Sequence, residues 1–122
     1  MAEEKPRFIQ EFVPGKQVTI AHIIANPDPA IYQKVGLRWD ATDEANRGRG
    51  SIGVLTLTPS ECSILAADVA TKASGIEIGF VDRFTGSLLI MGRLSDVETA
   101  VRDVMSFLVD VIGCSPAEIT RT

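Results

Sequence analysis

The sequence predicts an α/β fold of the α+β kind, with the ferredoxin-like order strand–helix–strand–strand–helix–strand. In the hairpin Ile76–Gly92 the first arm alternates in polarity, and the second arm is almost continuously apolar, as in a strand covered on both faces. The turn Arg83–Gly86 separates the two arms. A helix signal lies on each side, at Pro59–Ser74 and at Ser95–Ile112, so the hairpin stands at the centre of the order.

Both helices have sequence signals for their ends. Thr58-Pro59-Ser60-Glu61 and Ser95-Asp96-Val97-Glu98 have the pattern of a capping box, and Gly75 and Gly113 are suited to the stops. Helical spacing predicts the buried faces. These are Cys62, Leu65, Ala66, Val69 and Ala73 in the first helix, and Val97, Val101, Val104, Leu108 and Val111 in the second.

Three further strands and one short helix complete the prediction. Gln17–Ile24 alternates, with Val18, Ile20, His22 and Ile24 on one face, and Ser51–Thr58 is apolar on both faces, which indicates a central strand. Asp28 is suited to cap a short helix that ends at Gly36. Glu118–Thr122 is predicted to be a terminal strand.

Length, net charge and hydropathy exclude several classes of function. The 122 residues predict one domain, and a net charge of −4 argues against nucleic acid as the main partner, since phosphate binding needs a basic surface. No apolar run approaches the roughly 20 residues of a membrane span, and residues 1–5 lack a signal-peptide pattern. We therefore expect a cytoplasmic protein without a membrane partner.

Residues capable of chemistry are few. We interpret His22, within an alternating strand, as a hydrogen-bonded structural histidine rather than a catalytic base. Cys62 belongs to an apolar helix face, and Cys114 follows a helix stop, where exposure is expected; their spacing suggests neither a disulfide framework nor a zinc motif. An enzymatic function and a cofactor are therefore not expected.

Two segments leave alternatives open. Leu37–Gly50 is predicted to be an exposed loop, in which Asp40, Asp43 and Glu44 form a solvated acidic face rather than a metal site. The segment Phe8–Val13 mixes large apolar and polar residues before Pro14-Gly15. It either folds back on its own domain or pairs with copies of itself in an oligomer, and composition favours the first.

Several stretches, taken together, resemble one family over most of the chain. They are Gln10–Thr19, Ala21–Pro27, Ser51–Pro59, Ala66–Lys72 and Glu77–Gly86. In these stretches the sequence resembles the permuted bacterial-microcompartment shell proteins of the EutS/PduU type. The resemblance implies a circularly permuted, ferredoxin-like microcompartment domain over residues 16–122, after an extension at 1–15. It also implies that Val18–Ile24 is the closing strand, placed before the core, and that Glu118–Thr122 is an added end.

The resemblance further implies a homohexamer that tiles with other shell proteins around enclosed enzymes. Lys72 matches the lysine that shell hexamers use at their edges. Many unpermuted relatives have an arginine near that lysine, and this chain has Asn26 in its place. The central opening would be lined by Arg83, Phe84, Thr85 and Gly86. A small parallel barrel over it would be built from Phe8, Ile9, Gln10, Glu11, Phe12 and Val13. The alternatives are a small-molecule-binding regulator on a ferredoxin-like oligomer, and an enzyme that uses His22 or a cysteine.

Overall fold

A computed structural model of the chain describes residues 15–37 and 50–122. Within these residues the elements are β1 (Gln17–Ile24), α1 (Pro29–Lys34), β2 (Gly50–Thr58), α2 (Cys62–Ala73), β3 (Glu77–Asp82), β4 (Ser87–Arg93), α3 (Leu94–Phe107), a π-helical turn (Leu108–Ile112) and β5 (Thr120–Arg121). None of the helices in these two ranges is both long and apolar enough to cross a membrane. The predicted loop Leu37–Gly50 is described only at its ends, and Gly50 already belongs to β2.

The strands form one sheet in the order β3-β4-β2-β1-β5. β1 pairs antiparallel with β2, and β5 pairs parallel with β1. In a ferredoxin-like sheet the closing strand lies beside the first strand of the core. β1 occupies that place, although it precedes the core in the chain, which agrees with the expectation for Val18–Ile24. The terminal strand is shorter than predicted, because only Thr120 and Arg121 pair with β1.

Helices cover both faces of the sheet. α2 and α3 pack on one face, where their small and branched residues meet Leu55 and Leu57 of β2 and Leu88 and Ile90 of β4. On the other face, a second cluster joins the following residues: Tyr32, Leu37, Ile52, Leu89 and Met91. Successive β4 residues alternate between the two clusters, which confirms the prediction of a strand covered on both faces.

The two predicted capping boxes are not formed. α2 begins at Cys62, and residues 59–61 form a turn in which the Pro59 and Ser60 carbonyls accept the amides of Cys62 and Ser63, so Thr58 lies too far back to cap. α3 begins at Leu94 and has no side-chain cap. Ser95 already lies inside the helix, where its amide belongs to the first turn.

Three predicted faces are wrong in part, each for a local reason. Leu65 is exposed because α2 turns its small residues Ala66 and Ala70 to the core. Val111 is 67% exposed, whereas Leu108 is fully buried, because the π-helical turn adds a residue and rotates Val111 outward. In β1 an irregularity after Val18 makes Thr19 an extra residue, so Val18 shares the core face with Ala21 and Ile23. Ile20, on the opposite face, is exposed.

Candidate assembly surfaces

The sheet places the predicted edge and the predicted opening at opposite ends. In the register, Ile24 pairs with Ile52, Ile52 with Met91, and Met91 with Glu77. Asn26 comes shortly after Ile24 in the chain, and Lys72 comes shortly before Glu77. Both therefore lie at this end of the sheet. The β3–β4 turn 83–86 lies at the other end, next to the pair Asp82–Ser87.

The β3–β4 turn is held by main-chain and side-chain hydrogen bonds. The Oδ1 atom of Asp82 accepts the amide of Phe84 at 2.9 Å and that of Thr85 at 3.3 Å. The Gly86 amide donates to the Asp82 carbonyl at 2.8 Å, and Gly86 has φ +81°. Hydrogen bonds from Phe84 and Thr85 to the carboxylate lower the pKa of Asp82 below its ordinary value of 3.8. The turn is therefore a defined structure that presents particular side chains.

The tip of this turn presents an aromatic ring and a cation. The Phe84 side chain is 80% exposed, and the guanidinium carbon of Arg83 lies 5.0 Å from the centre of its ring. That distance is within the range of a cation–π contact. Phe80 and Val81, on the edge strand β3, are also exposed. Exposed apolar side chains beside an uncovered strand edge are typical of a surface that another protein covers.

Lys72 is exposed at the end of α2, as an edge residue must be. Its Nζ atom donates to Oδ2 of Asp68 at 2.9 Å, one helical turn earlier. The two side chains are 75% and 59% exposed, so this ion pair contributes little to stability. It does orient the Lys72 side chain along the helix surface.

Asn26 lies in the bend between β1 and α1 and is exposed. The bend is fixed on both sides. Ser51 Oγ donates to the carbonyl of Ala25 at 2.6 Å, and Asp28 Oδ1 accepts the amide of Ala30 at 2.9 Å, as predicted for the cap of α1. Asn26 is thus presented at a defined position at the Lys72 end of the sheet.

His22 ties the C-terminal strand to β1. Its ring nitrogens lie 2.6 Å and 2.9 Å from the hydroxyl oxygens of Thr120 and Thr122. Both nitrogens are engaged in these hydrogen bonds, which confirms that this histidine is hydrogen-bonded. Arg121 adds an ion pair with Glu98 of α3. These contacts hold β5 at the edge of the sheet.

The two cysteines are free and buried, each 4% exposed. The expectation of an exposed Cys114 is therefore wrong: the chain after Gly113 turns inward, and the Cys114 amide bonds to the carbonyl of Leu108 at 2.8 Å. Burial raises the pKa of the Cys114 thiol, and the neighbouring Cys62 thiol adds to this effect.

Some predicted residues lie outside the described part of the chain. These are the barrel segment Phe8–Val13 and the acidic residues Asp40, Asp43 and Glu44. Among the described residues, no three His, Cys, Asp or Glu side chains gather into a metal site. Sequence reasoning missed Asp82 and Asp68. Asp82 carries a recognisable signal, since Asp at the start of a turn commonly accepts main-chain amides two residues on.

A shallow groove lies between α3 and the C-terminal segment. It measures about 310 Å³ and is lined by Arg102, Met105, Ser106, Val109, Asp110 and Ile119. Small-molecule sites usually enclose most of their ligand. This groove is open to solvent and does not enclose a ligand in that way.

Comparison with known families identifies the class of protein to which this fold belongs. A family model described as "BMC domain" matches residues 51–115. The chain belongs to this family, which is that of the bacterial microcompartment shell proteins. β1 lies before the matched region, yet it is part of the sheet.

The chain is 49% identical over 116 residues to the bacterial microcompartment shell protein PduU of Salmonella typhimurium, covering 95% of this chain and 93% of that protein. A solved structure named "CutR flat hexamer, form 1" is 43% identical with a TM-score of 0.80, over 96% of this chain and 100% of that one. The fused permuted hexameric shell protein MSM0275 shares the fold at 19% identity and a TM-score of 0.66, over 82% and 51% of the two chains. The resemblance to the EutS/PduU type is thereby confirmed.

Proposed function

We propose that this shell protein is a non-enzymatic, circularly permuted hexameric tile whose central opening is capped by its own N-terminal segment. One observation carries the proposal. The edge candidates Lys72 and Asn26 lie at one end of the sheet and the exposed Arg83–Phe84 tip lies at the other. A ring-shaped tile needs this separation, because one end of each subunit must face the axis while the other faces the next ring.

In this arrangement six Arg83–Gly86 turns surround the axis. The edge strand β3 and its exposed Phe80 and Val81 lie next to the turn, so a neighbouring subunit could bury them without rearrangement of the sheet. Burial of each such side chain would contribute roughly 1.5–3 kcal/mol. The similarity to a flat hexamer at 43% identity supports this stoichiometry.

The N-terminal segment would close the opening. Residues 8–13 precede β1, and six copies pairing as a parallel barrel would satisfy strand edges that one copy leaves open. Six Glu11 carboxylates pointing into that barrel would repel one another, so we expect them to face outward or to be partly protonated. The tile would then act as a barrier in a cytoplasmic organelle shell, with neighbouring tiles and enclosed enzymes as its partners.

Sedimentation analysis of the purified chain tests the assembly. We expect a hexamer at micromolar concentration, and sheets of hexamers in electron micrographs at higher concentration. A monomer at micromolar concentration would overturn the proposed tile. A hexamer that never forms sheets, alone or mixed with other shell proteins, would contradict the edge role but leave the ring intact.

A further inference from the structure

Two buried thiols from distant parts of the chain belong to the same region of the core. Cys62 is the first residue of α2, and Cys114 follows the glycine that ends the π-helical turn. β3, β4 and α3 lie between them in the sequence. Both residues belong to the same buried cluster. Gln17 pairs with Thr58 at the end of β2, shortly before Cys62, and also bridges Ser115, the residue after Cys114. The chain segments that carry the two cysteines therefore meet at the start of β1, and Cys62 also contributes to the raised pKa of the Cys114 thiol. The fold, not the spacing in the chain, creates this pair.

Cys114 lies where the chain leaves the core for the edge of the sheet. From Ser115 onward the chain runs along β1 at the edge of the sheet. Two main-chain hydrogen bonds hold it near Cys114. The Val18 amide donates to the Ser115 carbonyl at 2.8 Å, and the Ser115 amide donates to the Lys16 carbonyl at 2.9 Å. Ser115 and Pro116 are exposed. Edge segments with exposed hydrogen bonds open locally at low cost in free energy, and this opening would admit a small oxidant.

We propose that Cys62 and Cys114 form a reversible intramolecular disulfide when the protein meets a hydroperoxide. One thiolate attacks the O–O bond of hydrogen peroxide, which gives a sulfenic acid and releases hydroxide, protonated to water. The second thiol then displaces water from the sulfenic sulfur and forms the S–S bond. Two thiols lose two electrons and two protons, and one peroxide is reduced to two molecules of water.

The crosslink would join the start of α2 to the segment that leads to β5. In the closed state, burial raises the pKa of Cys114 and keeps its thiol protonated at neutral pH, so reaction follows opening of the segment. After oxidation the segment can no longer leave the core. The inference concerns a single subunit and holds whether or not the hexamer forms.

The test uses the full chain, reduced and then treated with hydrogen peroxide. The protein is denatured in N-ethylmaleimide, digested and mapped by mass spectrometry. We expect one linked peptide pair that contains Cys62 and Cys114 and disappears on reduction. We also expect the Tm of the oxidised protein to rise by about 5–15 °C, because the crosslink restricts the unfolded chain.

The matched controls are Cys62→Ser and Cys114→Ser, for which peroxide should leave the Tm unchanged. If either variant folds poorly, the wild-type peptide map still decides. Full alkylation of both thiols after peroxide would overturn the proposal. So would linkage only between chains, seen as a covalent dimer on a non-reducing gel, or a Tm rise that persists in the single variants.

Discussion

Gly86 and Leu57 are joined so closely that the β3–β4 turn has no room for a side chain at its last position. The Leu57 amide donates to the Gly86 carbonyl at 2.8 Å, and a Cβ atom added to Gly86 would lie 2.2 Å from the Leu57 carbonyl oxygen. The contact anchors the turn to the end of β2. The orientation of Arg83 and Phe84 therefore depends on Gly86, the last residue of the same turn.

Gly86→Ala should destabilise the protein by about 2–4 kcal/mol, since it combines a left-handed backbone with a main-chain clash. Gly113→Ala is the matched control. Gly113 has φ +85°, but an added Cβ atom there would meet no atom within 4 Å. It should cost only the backbone strain of about 1–2 kcal/mol. Urea unfolding measures the free energy of unfolding of both variants. An equal loss of stability in the two would mean that the contact with Leu57 is unimportant.

The turn should loosen in acid. The folded pKa of Asp82 lies below 3.8, so the carboxylate hydrogen bonds are fully present above the unfolded pKa and are lost as the pH falls through the folded value. The carbon-13 shift of labelled Asp82 should titrate below pH 3.8, and the Phe84 and Thr85 amide shifts should follow it.

Asp82→Asn provides the control for this titration. The amide oxygen of Asn can still accept the Phe84 hydrogen bond but does not ionise, so the amide shifts should stay constant across the acid range. Titration of Asp82 at or above its ordinary pKa would show that the two amide donors do not stabilise the carboxylate.

Lys72→Ala should leave the hexamer intact and reduce sheet formation. Under the proposed edge role the lost contacts would lie between rings, while the side chain makes only a weak ion pair within its own subunit. Electron microscopy of sheets, with sedimentation of the hexamer, measures the two effects separately. Arg102→Ala, which removes an exposed cation from α3, is the matched control and should form sheets like the wild type. Unchanged sheets in Lys72→Ala would refute the edge assignment.

The proposed barrel predicts slow amide exchange at residues 8–13 in the proposed hexamer. Pairing of the six segments would protect these amides, whereas residues 1–5 should exchange rapidly. Deletion of residues 1–13 should leave the sheet and helices folded, because β1 begins only at Gln17, and should open the axis. Circular dichroism checks the fold of the truncated chain. Exchange at 8–13 as fast as at 1–5 would mean that the cap is absent.

The π-helical turn predicts unequal costs for two apolar residues that are one turn apart. Leu108 is fully buried and Val111 is 67% exposed. Leu108→Ala should lower the free energy of unfolding by about 2–5 kcal/mol. Val111→Ala should change it by no more than about 0.5 kcal/mol. Urea unfolding compares them, and a similar loss at Val111 would indicate that α3 continues without the extra residue.

The order of elements and the two-faced burial of β4 could be predicted from sequence, because hydrophobic periodicity reflects burial directly. The capping boxes could not. Thr58 and Ser95 match the pattern, but Thr58 is still part of β2 and α2 begins three residues after Pro59. α3 begins directly after β4, at Leu94, so Ser95 is already inside the helix. The family resemblance, drawn from the residues of five stretches, was confirmed over nearly the whole chain.

The sequence by itself determined the order of the elements, the two covered faces of β4 and the class of protein, since periodicity, turn residues and family motifs are all read from residues close together in the chain. Only the tertiary structure decided what distant residues do together. It turned Ile20 and Val111 outward through one extra residue each, and it brought Cys62 and Cys114 into one buried cluster. The physical reason is that register shifts and long-range contacts depend on how elements pack against one another, and no spacing along the chain records that packing.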